Sequence, residues 1–242
     1  MNMDEIRIVP EGDLAVLVEF ENEISPACNG KVAALQKCIK EANWKGIVET
    51  IPAFRSLLIY YNPLQISYRK LVAKIKKATK HLENMDNQSK RIIQIPVCYG
   101  GTYGVDLKDV AEHTGLSEEE VIAIHSGTDY LIYMIGFLPG FPYLGGMDKR
   151  LETPRLQDPR TAIPAGAVGI GGEQTGIYPL ASPGGWRLIG QTPLRLFDRE
   201  RENPILYRAG DYIRFVPVTE EAYKRIAKQI EMGNFDYKGI VM

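Results

Sequence analysis

The chain has 242 residues, 45% hydrophobic and 24% charged, which is enough for one large domain or two ordinary ones with full cores. A formal net charge of −1 argues against a dedicated nucleic-acid or anionic-membrane binder, and no apolar run reaches the ~18 residues of a membrane span. Three cysteines without a C-x-x-C pair, and a beginning, "MNMDEIRIVPEGD", without the layout of a signal peptide, predict a reduced, metal-free, cytoplasmic protein.

In chain order, "RIVP" and "LAVLVEF" flank "EGD" as a strand pair around a glycine turn. Ser25 as N-cap and Pro26 in the first turn open a helix to about Ala42, with Val32, Leu35, Ile39 and Ala42 as its inner stripe. "GIVETIP" and "SLLIYYN" form a second strand pair. "SYRKLVAKIKKATKHL" reads as a second amphipathic helix resting on Leu71, Ile75 and Leu82. Its basic residues, Arg69, Lys70, Lys74, Lys76, Lys77 and Lys80, interleave with that stripe and read as a solvated face, with a polyanion patch as the alternative. The polar tract "ENMDNQSK" has linker character and puts a boundary at about 84–90. Residues 1–86 are therefore expected to form a small α+β domain and 91–242 a second domain.

That second domain opens with a strand, "RIIQIPVCYGG", and two short helices, the latter starting at a Ser117/Glu120 capping box. From Tyr130 to Pro217 helical periodicity gives way to short runs, among them "YLIYMIGF", "AVGIGG", "WRLIG", "LRLF" and "DYIRFVPV", divided by Pro and Gly clusters. That pattern predicts a closed or nearly closed β-barrel, with "EEAYKRIAKQIE" as a closing helix on its outside. "GFLPGFPYLGG" (136–146) holds four glycines, two prolines and three aromatics, which suits neither a helix nor a regular central strand. It reads as a stiff loop carrying Phe137, Phe141 and Tyr143.

His81, His113 and His125 lack zinc-binding spacing, and no G-x-S-x-G elbow occurs. "GIGGEQTG" (169–176) lacks the Lys-Ser/Thr ending of a phosphate loop and reads first as tight barrel turns. "TPRLQDPR" sets Arg155 and Arg160 each behind a proline, on a backbone with little entropy to lose. They read equally as a carboxylate or phosphate clamp and as exposed salt-bridging arginines. Gln174, Thr175, Tyr178, Ser182, Trp186 and Arg187 lie among glycines and prolines, the make-up of a pocket with apolar walls and a few fixed polar groups. Trp186 and Tyr178 read equally as barrel core. His125, at a helix end, reads first as a capping or packing histidine.

The long motifs "YMIGFLPGFPYLGGM", "IPAGAVGIGGEQTGIYPLASPGGWRLIGQTP" and "YRAGDYIRFVPV", with "IPVCYGG" and "IPAFRSLLIYYNP", resemble the KipI/PxpB family, the 5-oxoprolinase B-component or allophanate-hydrolase-subunit-1-like proteins. The resemblance spans roughly residues 5–218. It implies an α+β N-terminal domain followed by a cyclophilin-like β-barrel domain. It also implies work with 5-oxoprolinase subunits C and A to open 5-oxo-L-proline to L-glutamate, with ATP hydrolysed to ADP and phosphate. Some family members instead inhibit a sporulation histidine kinase by binding its dimerisation helices. On the enzyme reading, Arg155 or Arg160 holds the substrate carboxylate or the phosphoryl group, and Gln174, Thr175 and adjacent glycine amides steady an oxyanion. His125 joins the catalytic group, and Phe137, Phe141, Tyr178, Trp186 and Arg187 line the substrate site.

Overall fold

The computed structural model describes residues 6–23, 25–80, 82 and 90–242 and divides into two units, 1–89 and 90–242. In the first unit, Arg7–Glu11 (β1) and Ala15–Glu19 (β2) pair antiparallel around Gly12, and Ile47–Pro52 (β3) and Ser56–Tyr61 (β4) form a second hairpin. The four strands make one sheet in the order β1-β2-β4-β3. Two helices, Pro26–Glu41 (α1) and Tyr68–Thr79 (α2), bury Val32, Leu35, Ile39, Leu71 and Ile75 in a common core with Val16, Val18, Leu57 and Ile59 of the sheet. The Ser25 hydroxyl caps α1 by accepting from the Cys28 amide at 3.2 Å, while Pro26 costs nothing at a position whose amide has no helical partner. Ala42, expected on the inner stripe, is instead the exposed C-cap, because the chain turns through Asn43 at φ 41°. The second helix ends at Thr79 rather than Leu82, although Leu82 still packs on this core. His81 and the polar tract at 83–89 lie outside the described residues.

The second unit is built on a seven-stranded sheet. Its strands are Ile92–Tyr99 (β5), Asp129–Ile135 (β6), Pro142–Gly145 (β7), Ala167–Gly171 (β9), Gln174–Ile177 (β10), Arg187–Gln191 (β12) and Tyr212–Pro217 (β13). They run in the order β10-β9-β12-β5-β13-β6-β7, and β10 comes alongside β7, so the sheet is a nearly closed barrel. Every neighbouring pair is antiparallel except β5 and β13, which run parallel. Arg160–Ile163 (β8) and Ser182–Gly184 (β11) form a separate two-stranded ribbon. Leu107–Thr114 (α3) and Glu118–Ser126 (α4) follow β5, the latter with the Ser117/Glu120 capping box in place. Glu220–Glu231 (α5) packs against β5. Ile93, Ile95, Val97, Val168, Ile170, Ile213 and Phe215 fill the interior.

Two expectations fail here. "GFLPGFPYLGG" contains a strand, β7, which the glycine and proline content argued against. Pro142 is tolerated because it is the first residue of an edge strand, where a missing amide costs no central ladder bond. "LRLF", in contrast, contributes no strand: Phe197 makes only an isolated bridge to Ile205. No helix among the described residues is long and apolar enough to cross a membrane.

Candidate functional site

The β6–β7 hairpin carries its tip at 136–141, closed by the Gly136 amide donating to the Phe141 carbonyl at 3.1 Å and the Phe141 amide donating to the Leu138 carbonyl at 3.0 Å. This tight return forces Phe137 to φ 61°, a left-handed conformation that costs a bulky residue on the order of 1–3 kcal/mol. The residue is 68% exposed. Phe141, by contrast, is buried, and its ring meets four others edge-on: Phe137 at 5.6 Å, Tyr143 at 5.2 Å, Tyr178 at 5.5 Å and Trp186 at 5.7 Å. The hairpin tip, β10 and the segment before β12 thus meet in one aromatic cluster with Phe137 standing out of it.

The glycines of "GIGGEQTG" explain themselves at this point. A β-carbon on Gly171 would lie 2.6 Å from the Trp186 indole nitrogen, and one on Gly176 would lie 3.0 Å from the same ring. They are bare so that Trp186 can lie across β9 and β10. At the tip of that hairpin, Gly172 exchanges both backbone hydrogen bonds with Thr153, and Gly169 and Gly176 face each other within the ladder. Gly171 and Gly176 are thus shaped around an indole, and Gly169, Gly172 and Gly176 are tied into backbone pairing.

The arginines divide sharply. Arg160 donates to Asp106 at 2.7 Å and to the Trp186 carbonyl at 3.4 Å, while the other Asp106 oxygen accepts the Leu188 amide at 2.6 Å. Arg187 donates to Asp109 at 2.9 Å and to the Pro154 carbonyl at 3.4 Å. Both are therefore spent on bracing the 154–160 segment against 184–188, a bracing completed by the Leu156 amide donating to the Gly185 carbonyl at 2.7 Å. Arg155, which they hold in place, is exposed, and no carboxylate among the described residues pairs with it. Its guanidinium sits 5.8 Å from the Trp186 ring centroid. Burial raises the pKa of Tyr178 beneath it, with nearby Arg155 pulling the other way.

His125 and Thr175 do not reach this face. Both are fully buried, and they form one hydrogen-bonded chain. Thr175 gives its single hydroxyl proton to the Gly169 carbonyl at 3.0 Å, so its oxygen accepts from His125 Nε2 at 2.8 Å, and His125 Nδ1 then accepts from the Tyr99 hydroxyl at 2.8 Å. That order requires a neutral imidazole protonated on Nε2. Burial lowers the His125 pKa to about 3, and the ring stacks on Phe215 at 4.5 Å. The catalytic roles expected for His125 and Thr175 do not fit this placement, because each of their polar atoms is already committed inside the barrel. Gln174 lies half-buried at the start of β10, beside this chain rather than within it.

Residues 6–207 match the family model described as the carboxyltransferase domain, subdomain C and D. The chain belongs to that family. Within it, the chain is 44% identical over 222 residues to the 5-oxoprolinase B component of Bacillus subtilis, covering 88% of this chain and 92% of the relative. It is equally 44% identical over 211 residues to the protein of that name from Escherichia coli O157:H7, covering 86% and 94%. Among solved structures it is similar to PH0987 from Pyrococcus horikoshii, at 46% identity and a TM-score of 0.54 over 90% of this chain and 100% of that one.

For this family member, sequence reasoning missed Asp106, Asp109 and Tyr99. The first two decide which arginine stays available, and no local pattern marks them: they sit at the start of α3, 54 and 78 positions from the arginines they hold. The strained tip gives a direct test. Phe137→Gly relieves the left-handed strain and gives up one mostly exposed ring, so urea unfolding should show stability unchanged or raised by about 1 kcal/mol. A loss of more than that amount would mean that Phe137 is a packing residue rather than a presented one.

Proposed function

We propose that this chain is the B component of an ATP-dependent 5-oxoprolinase, which opens 5-oxo-L-proline to L-glutamate together with A and C components, and that its cyclophilin-like barrel presents the Phe137–Arg155 face to the lactam. The identity to relatives of that name along almost the whole chain supports the assignment. The observation that carries the site is Arg155, a guanidinium on a proline-stiffened segment with no acid partner among the described residues, set over an aromatic wall. 5-Oxoproline is a carboxylate on a small ring closed by an unreactive amide. Arg155 fits the carboxylate through paired N–H donors, while Phe137 and Tyr143 fit the ring. The polar chemistry is then left to what faces them.

ATP supplies phosphorylation of the lactam oxygen, which turns it into a leaving group. The Gly169–Gly176 hairpin does not fit a triphosphate, since it is packed by Trp186 and has no lysine at its end. We assign the nucleotide site to another component of the enzyme, and in this reading the chain alone is inactive. The test is 5-oxoproline-dependent ADP release by the purified chain, alone and mixed with the A and C components. Activity is expected only in the mixture, with Arg155→Ala losing about 10- to 100-fold through KM for 5-oxoproline. Absence of activity in every combination overturns the assignment. A fully active Arg155→Ala overturns the site alone.

The exposure of Phe137 supports a second reading, in which the same face receives a protein such as the dimerisation helices of a sporulation histidine kinase. Failure of an immobilised dimerisation domain to retain the chain removes that reading for the kinase used.

A further inference from the structure

We propose that the groove between α1 and α2 in the first unit is a docking site for an acidic amphipathic helix of a partner protein. Where the two helices face each other the side chains are small: Ala34 of α1, Ala42 at its C-cap, and Ala78 of α2. They leave a cavity of about 530 Å³ between Trp44 and Leu82. The floor is apolar and the rim is basic: Lys37, Lys74 and Lys77 border it, and the Lys74 ammonium lies 4.8 Å from the Trp44 ring centroid. Among the described residues the one carboxylate on the rim, Glu41, is turned to Lys37 at 3.7 Å.

The charge beyond the rim is as one-sided. α2 carries Arg69, Lys70, Lys74, Lys76 and Lys77, all exposed, and contains no acidic residue. Among the described residues of this unit the ion pairs involve Arg7, Lys31, Lys37 and Arg55, and none involves α2. A chain whose formal charge is −1 therefore concentrates cations that pair with no described carboxylate along one wall of an apolar trough.

That combination selects the occupant. A phosphate backbone needs the cations but gains nothing from an alanine and tryptophan floor. An anionic membrane needs cations around protruding apolar side chains, whereas this surface is concave. A helix with apolar anchors at i, i+3/i+4 and i+7 and carboxylates on its flanks uses both the floor and the rim.

Cys38 lies in the groove wall and serves as a reporter. It is the partly exposed cysteine, while Cys28 and Cys98 are buried and burial raises both of their thiols. The experiment follows alkylation of Cys38 by iodoacetamide in the full chain, read by mass spectrometry. The probes are a synthetic Leu/Glu amphipathic peptide, the same composition permuted to destroy the helical stripe, heparin, and vesicles containing anionic lipid. The amphipathic peptide should slow Cys38 modification several-fold, and the Lys74→Glu/Lys77→Glu variant, whose urea midpoint should match wild type, should lose that protection. The proposal is overturned if the permuted peptide, heparin or vesicles protect equally well. It is overturned as well if no probe protects at about 1 mM, the weak end of specific binding. Protection that appears without any probe and grows with protein concentration also overturns it, and assigns the groove to a second copy of the chain.

Discussion

Replacing His125 with alanine should lower stability by about 3–5 kcal/mol, measured by urea unfolding. The change opens a cavity beneath Phe215 and leaves the Tyr99 and Thr175 hydroxyls without their shared partner inside the barrel. The same residue sets a pH dependence whose sign follows from which state binds the proton. The fold lowers the imidazole pKa from 6.5 to about 3 by burial, so below pH 6.5 the unfolded chain takes up a proton that the folded chain refuses. The His125 contribution is thus complete above pH 6.5 and falls away by about 1.4 kcal/mol for each pH unit below it, until the folded value is reached. His125→Gln, which has no titrating group, should lack this component. Equal pH slopes for wild type and His125→Gln between pH 5 and 7 would show that the ring is not buried neutral.

Arg160→Ala should cost about 2–3 kcal/mol, below the roughly 3–5 kcal/mol of a fully buried broken pair because the arginine is itself 30% exposed. The cost comes from Asp106, whose side chain is 6% exposed and would keep a charge with no counter-ion. Asp106→Asn separates this cause from simple loss of contact. The amide keeps an oxygen for the Leu188 amide but carries no charge, so the double variant should recover at least about 1 kcal/mol relative to Arg160→Ala alone. Strict additivity of the two substitutions would mean that the pair contributes no coupling. Arg155→Ala removes a neighbouring guanidinium that has no acid of its own among the described residues, and it should leave the urea midpoint where it is.

These contrasts show where sequence was informative. The Ser25 and Ser117 caps, the inner stripes of α1 and α2 apart from Ala42 and Leu82 at their ends, and the hairpins around Gly12 and Arg55 depend on neighbours within a few positions, and they are readable one turn at a time. The alternatives left open for the polar residues are different. Whether Arg155, Arg160 or Arg187 stays uncommitted depends on acids in and just before α3, and whether His125 of α4 is a base or a packing group depends on Tyr99 of β5 and Thr175 of β10. No window of sequence contains both members of any of these pairs. The strand at Pro142–Gly145 was hidden for a further reason: its edge position, which excuses the proline, is a property of the sheet and not of the segment.

The parallel pairing of β5 with β13 carries a consequence for biosynthesis. Arg91 and Asp211, which close the start of that pair, stand 120 positions apart. At about 5–20 residues per second, the ribosome needs about 6–24 seconds between making one and the other. Throughout that interval Ile93, Ile95 and Val97, wholly enclosed in the finished barrel, have no β13 to lie against. For that interval the nascent second unit keeps an unpaired apolar strand edge, the kind of surface that makes a partly made chain prone to aggregate.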